Sequence, residues 1–191
     1  VYRTTMCAAR TPDPLAAACS CVGLSVCRDW YVVHYAAEYG AIVPSCFGGC
    51  LAISASTAAA FLARSPLTYL HEHWPLPLDL AAGRFDSTVA FSQTLRAFQA
   101  IAPGIVSDED IAALLGAGPG LPHPTIADTA TDPLLGRRLF LRRKAGASRV
   151  SILDGGHDWL PSAAVAWLPH HRHPQQPAPC PPTVRSASHR P

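Results

Sequence analysis

The chain is poor in charge. Asp, Glu, Lys and Arg make up 15% of its 191 residues, and the formal net charge is only +2. A balance so near neutrality lacks the basic footprint that phosphate backbones demand, so no nucleic-acid partner is expected. Long apolar runs are missing too. None is long enough to cross a bilayer or has the look of a secretory leader, and no membrane partner is expected. The seven cysteines include no CxxC pair, which removes support for a zinc ribbon or a thioredoxin-type redox site. Lysine is almost absent, with Lys144 alone among 15 basic residues; beside 19 prolines and abundant alanine this points to a GC-rich coding bias rather than a functional choice of arginine. Hydrophobic residues are plentiful, at 49%. That excludes a generally disordered chain and is apolar mass enough for one core.

The positive charge is unevenly placed. Residues 1–168 hold 12 of the 15 basic residues and all 13 acidic ones, leaving Arg172, Arg185 and Arg190 at the C-terminal end. Residues 169–191 carry seven of the 19 prolines and four of the nine histidines, with no Leu, Ile, Phe, Tyr or Trp. Such a segment has no apolar surface to bury, so residues 169–191 are expected to be a disordered tail behind a body of residues 1–168. His170, His171 and His173 have the right chemistry for a metal, but nothing in the tail would orient them, and they read as solvated. His71 and His73 straddle Glu72 just before Trp74-Pro75 and read as an exposed turn. No metal or cofactor is expected. Cys19 and Cys21 would share one face of a strand. Cys46 and Cys50 have the spacing for a local disulfide, although buried thiols acting as small hydrophobes are the commoner case.

The body reads as mixed α/β. Residues 1–10 suit a helix ended by Thr11-Pro12-Asp13-Pro14, and residues 15–26 a helical turn and then a buried strand. Residues 28–39 form an aromatic helix or excursion, and residues 44–70 are irregular and then helical. Residues 76–83 suit a strand. Phe91, Leu95, Phe98 and Ala102 recur at helical spacing. Ser107 has the chemistry of an N-cap, with Asp108, Glu109 and Asp110 complementing the dipole of the helix that follows. Residues 116–136 read as a Gly/Pro-rich loop and Arg149 to Leu153 as a strand. Pro161 opens a last helix. Strand–loop–helix units in succession predict a mostly parallel sheet with flanking helices.

Two residues stand where an open α/β sheet carries its chemistry, just past the carboxyl ends of strands. Asp86 follows Leu78 to Gly83 and precedes a helix. His157 follows Val150-Ser151-Ile152-Leu153 on a glycine-rich loop. Taken singly, an Asp there more often forms a turn and a His is often just a loop residue. An acid and then a histidine on successive strand ends match the later part of the nucleophile–acid–histidine order of α/β-hydrolases. Asp79 is the rival acid, placed inside the strand and expected to make a local hydrogen bond or to face a crossing loop. Asp158 is expected to point away and cap the last helix.

The flanking residues make this more specific. "GRFDSTVAFSQTLRAF" resembles the acid segment of prolyl oligopeptidase-like (S9-type) serine peptidases, and "VSILDGGHDWLPSAAVAWL" resembles their histidine loop and final helix. "CFGGC…FLARSPLTYL" is similar to the Arg-Ser-Pro segment before the acid-bearing strand. "MCAARTPDPLAAACSCVGLS" is similar to the helix after the nucleophile elbow and the next strand. The resemblance spans residues 1 to about 168. It implies an incomplete α/β-hydrolase fold, with the N-terminal strands and elbow lying before residue 1, and a peptide or small ester as substrate. It also implies that Asp86 and His157 are the acid and histidine of a Ser-Asp-His triad.

The resemblance exposes a gap. No G-x-S-x-G is present, so the serine is expected shortly before Val1, and the chain alone is expected to be inactive. Gly23-Leu24-Ser25-Val26-Cys27 departs from the motif at Cys27 and reads instead as a strand end and loop. Asp86 and His157 are separated by much more than the length of a simple βαβ crossover, through an insertion over residues 103–137. An esterase on the same fold and a non-catalytic hydrolase remnant are the alternative readings.

Overall fold

The computed structural model describes residues 2–50, 54–72, 74–116 and 130–172. Among the described residues, four strands form one sheet in the order β1-β2-β4-β3. They are β1 (Ala18–Cys21), β2 (Leu78–Gly83), β3 (Leu139–Ala145) and β4 (Ser148–Leu153). β1 runs parallel to β2, and β2 runs parallel to β4 in a register that sets Asp79 opposite Arg149. The fold is therefore mixed α/β with a mostly parallel sheet and flanking helices. No described helix is long and apolar enough to cross a membrane.

β2 is buried along its whole length, as expected of a central strand covered on both faces. Its even-numbered side chains Leu78, Leu80 and Ala82 join Val150 and Ile152 in the main core. That face is covered by α1 (Tyr2–Arg10), α5 (Phe91–Ile101) and α6 (Asp108–Gly116), whose Ala8, Leu95, Phe98, Ile111 and Leu114 complete it. The predicted stripe of Phe91, Leu95, Phe98 and Ala102 is buried. Ser107 caps α6 as expected: its hydroxyl accepts from the Asp110 amide at 3.1 Å, and Asp110 accepts from the Ser107 amide at 2.9 Å. On the opposite face, Cys21, Ala81, Leu139 and Leu153 pack beneath α7 (Pro161–Trp167) with Leu160 and Ala163. Cys19 and Cys21 do share this face. A satellite cluster of Cys27, Tyr31 and Phe61 joins α2 (Cys27–His34), α3 (Glu38–Phe47) and α4 (Ala55–Ala63).

The secondary structure and its caps depart from the sequence expectations in four places. β3, unassigned above, is an antiparallel edge strand paired to β4 through a tight hairpin at Gly146, whose φ is +57°. A register shift between Leu139 and Leu141 buries three consecutive residues, which erases the period-2 alternation that would have marked the strand. Residues 44–47 are not irregular. They close α3, and the Pro44 carbonyl accepts from the amides of Gly48 and Gly49. The first residues of the expected tail are ordered, because Leu168–His170 form a 3₁₀ turn and the His171 ring packs 4.0 Å from Trp167. Finally, α7 takes no side-chain cap from Asp158. Most of the Gly/Pro loop (117–129), His73, His173, Cys180 and the rest of the tail lie outside the described residues.

Candidate active site

Because β1, β2 and β4 are parallel, their carboxyl ends open onto one edge of the sheet, and both candidate residues sit there. The chain leaving β2 is tied to the chain leaving β4. The Arg84 amide donates to the Leu153 carbonyl at 2.8 Å, and the Phe85 amide to that of Gly155 at 2.9 Å. Gly83 makes this approach possible, since a methyl group there would run into the carbonyl oxygens of Gly155 and Gly156.

Asp86 and His157, 71 residues apart, meet across this junction. Asp86 Oδ2 lies 2.8 Å from His157 Nδ1. The carboxylate is fully buried, whereas the His157 side chain is 43% exposed. Asp86 Oδ1 accepts from the amides of Thr88 and Val89, both at 2.8 Å, which fixes the carboxylate plane and leaves Oδ2 for the imidazole. An ionised carboxylate only accepts, so Nδ1 carries the shared proton and the neutral ring keeps its lone pair on Nε2. Among the described residues nothing hydrogen-bonds to Nε2. The pair can therefore accept a proton at Nε2 and stabilise the resulting imidazolium.

The rival acid is accounted for elsewhere. Asp79 receives two hydrogen bonds from the Arg149 guanidinium, both at 2.8 Å, on the face beneath α7. Arg149 is held above its ordinary value chiefly by those bonds. Asp158 is likewise engaged. Its Oδ2 lies 2.6 Å from Arg137 Nη1, and this contact is the main cause that holds its carboxyl below the usual aspartate value. Nothing in the local sequence flagged Arg137, because its role depends on a contact 21 residues away.

Ser25 is not a surface nucleophile. It is wholly buried, and its hydroxyl donates to the Gln93 carbonyl at 2.6 Å, while Gln93 Oε1 accepts from the amides of Ser25 and Val26. Cys46 and Cys50 are both free thiols. No group of three or more metal-ligating side chains exists among the described residues.

A cleft of about 240 Å³ opens beside Asp86 and Ser87, between α2, α5 and α6. Trp30, Val33, Ile111 and Leu115 supply apolar lining, and Asp29 and Arg96 supply charge. The Trp30 indole donates to the Thr88 carbonyl at 2.6 Å, which ties the cleft wall to the turn that holds Asp86. A larger cavity of about 630 Å³ lies at the opposite ends of the strands, between residues 12–16, 75–77 and 170–172. Comparison of the chain with protein-family models, with curated proteins and with solved structures found no match.

Proposed function

We propose that Asp86 and His157 are the acid and base of a Ser-Asp-His triad. In this reading the chain is part of an α/β-hydrolase-fold serine hydrolase, a peptidase of the prolyl oligopeptidase-like group, whose serine lies in sequence preceding Val1. The observation that carries it is the 2.8 Å contact between Asp86 and the Nδ1 of a half-exposed histidine at the carboxyl edge of parallel strands. The acid-then-histidine order of the later triad members supports it as well.

In this mechanism His157 Nε2 takes the proton of the serine hydroxyl as the oxygen attacks the substrate carbonyl carbon. The same nitrogen then delivers that proton to the leaving group, an amine from a peptide or an alcohol from an ester. Asp86 stays ionised, holds the tautomer and stabilises the imidazolium. The neighbouring cleft is of a size to receive one substrate side group.

The test is labelling by an active-site-directed serine probe. The 191-residue chain is expected to stay unlabelled, and a form extended towards the N-terminus to be labelled. Labelling of the extended form is expected to be lost in His157→Ala and to fall by about 10⁴ in rate in Asp86→Asn. Labelling of the short chain, or labelling of the extended form that survives His157→Ala, overturns the proposal. Paired peptide and ester substrates then separate a peptidase from an esterase.

A further inference from the structure

The loop that carries His157 has little apolar anchorage. It contains two adjacent glycines, Gly155 with φ +152°, and the imidazole is 43% exposed. Besides the Phe85–Gly155 and Arg138–Asp154 backbone bonds and the contact with Asp86, its conformation is held by polar contacts that converge on one side chain. Arg137 Nη1 sits 2.6 Å from Asp158 Oδ2 and 3.4 Å from the Asp154 carbonyl oxygen. One guanidinium nitrogen thus bridges both ends of the loop and closes it around Gly155, Gly156 and His157. Asp158 tightens the ring from within, since its Oδ2 accepts from the Gly156 amide at 3.2 Å and its own amide donates to the Gly156 carbonyl at 2.9 Å. A Cβ at Gly155 would collide with both Arg137 and Asp158, so the guanidinium lies directly against the loop backbone.

Arg137 is itself fixed from the other side. Its carbonyl accepts from the amide of Asp132 at 2.7 Å. Asp132 is buried and uses one carboxylate oxygen on the amides of Leu134 and Leu135, and the other on Arg142 of β3 at 2.6 Å. The turn from Asp132 to Arg137 is therefore a rigid bracket mounted on β3.

We propose that Arg137 is a positioning residue for His157, which braces the histidine loop and occupies the Asp158 carboxylate so that Asp86 alone accepts from the imidazole. The inference rests on the reading of Asp86 and His157 as a catalytic pair. Asp86 reaches this imidazole from across the sheet, and Asp158, the next residue in the chain, interacts with it electrostatically. With Arg137 in place the neighbour is committed to the guanidinium. Without it, Asp158 keeps only the Gly156 amide and is an anion without a cation next to His157 in the chain, a competing acceptor, and the loop loses the guanidinium tie between its ends.

The experiment is proton NMR of the full 191-residue chain, following the low-field resonance of the His157 Nδ1–H shared with Asp86 and its exchange with water. The ring resonances of Phe98, deep in the main core, report whether each variant is folded. In Arg137→Ala the exchange is expected to speed up about tenfold, as for loss of a charge-assisted hydrogen bond, with Phe98 unchanged. Arg137→Lys, which keeps a charge and a donor, is expected to recover most of the protection. Wild-type exchange rates in Arg137→Ala overturn the proposal, as does a change in Phe98 that Arg137→Lys fails to repair. Absence of the resonance in the unmodified chain would instead count against the Asp86–His157 pair itself, and the brace would fall with it.

Discussion

Asp86 does two jobs with two oxygens. One satisfies the amides of Thr88 and Val89, and the other meets the imidazole. Stability and chemistry are therefore separable by substitution. Asp86→Ala leaves two amides without their acceptor and is expected to cost about 1–3 kcal/mol in urea unfolding. Asp86→Asn keeps an oxygen for the amides and is expected to cost clearly less, although it spoils the tautomer. Gly83 is the second sensitive residue. Gly83→Ala forces the β2 exit away from the Gly155 and Gly156 carbonyls. An expected loss of about 1–3 kcal/mol follows from overpacking, together with loss of the His157 Nδ1–H resonance, because the two loops separate.

At the level of elements, the charged pair between neighbouring strands decides which substitutions the sheet tolerates. Asp79 is 2% exposed and Arg149 is its partner in register. Arg149→Ala leaves a buried carboxylate without its cation and is expected to destabilise by about 3–5 kcal/mol. Replacing both together, as Asp79→Leu with Arg149→Met, is expected to recover most of that loss, and thermal unfolding of the single and double variants checks it. β3 shows how an edge is guarded. Its outer half carries Arg142, Arg143 and Lys144, charges that discourage pairing with another chain. The same charges and the Leu139/Leu141 register shift hide the strand from a periodicity argument. α5 and α6 were legible because an apolar stripe and a cap are local features. The Asp79–Arg149 pair was not, because its two members meet only once the strand order is set.

For the whole molecule, the response to acid follows from the carboxylates around the histidine loop. Burial opposes the charge on Asp132, but the Leu135 and Leu134 amides and Arg142 outweigh it and hold the carboxyl below its ordinary value; Arg137 does the same for Asp158. Both groups bind protons more weakly folded than unfolded. Their stabilisation is thus complete above the ordinary aspartate value of about 3.9 and is lost as pH falls through the lower folded values. Urea midpoints measured from neutral pH downward are expected to fall in that acid range, and Asp132→Asn is expected to flatten the fall. The pairing of Asp86 with His157 belongs to this scale too. Glycine-rich strand ends suggested both residues, but only the parallel order of β2 and β4 brings their loops together.

Composition, apolar periodicity, caps and turn residues are short-range properties, and they were enough to define α1, α5, α6, α7, β2 and β4 and to single out Asp86 and His157. The tertiary structure alone decided the antiparallel β3, the cation opposite Asp79, the contact of Arg137 with both ends of the histidine loop and the 2.8 Å meeting of Asp86 and His157. The physical reason is that hydrogen bonds and ion pairs are short-ranged in space but indifferent to separation along the chain. Strand order and register determine which distant groups come within reach, and no local pattern encodes them.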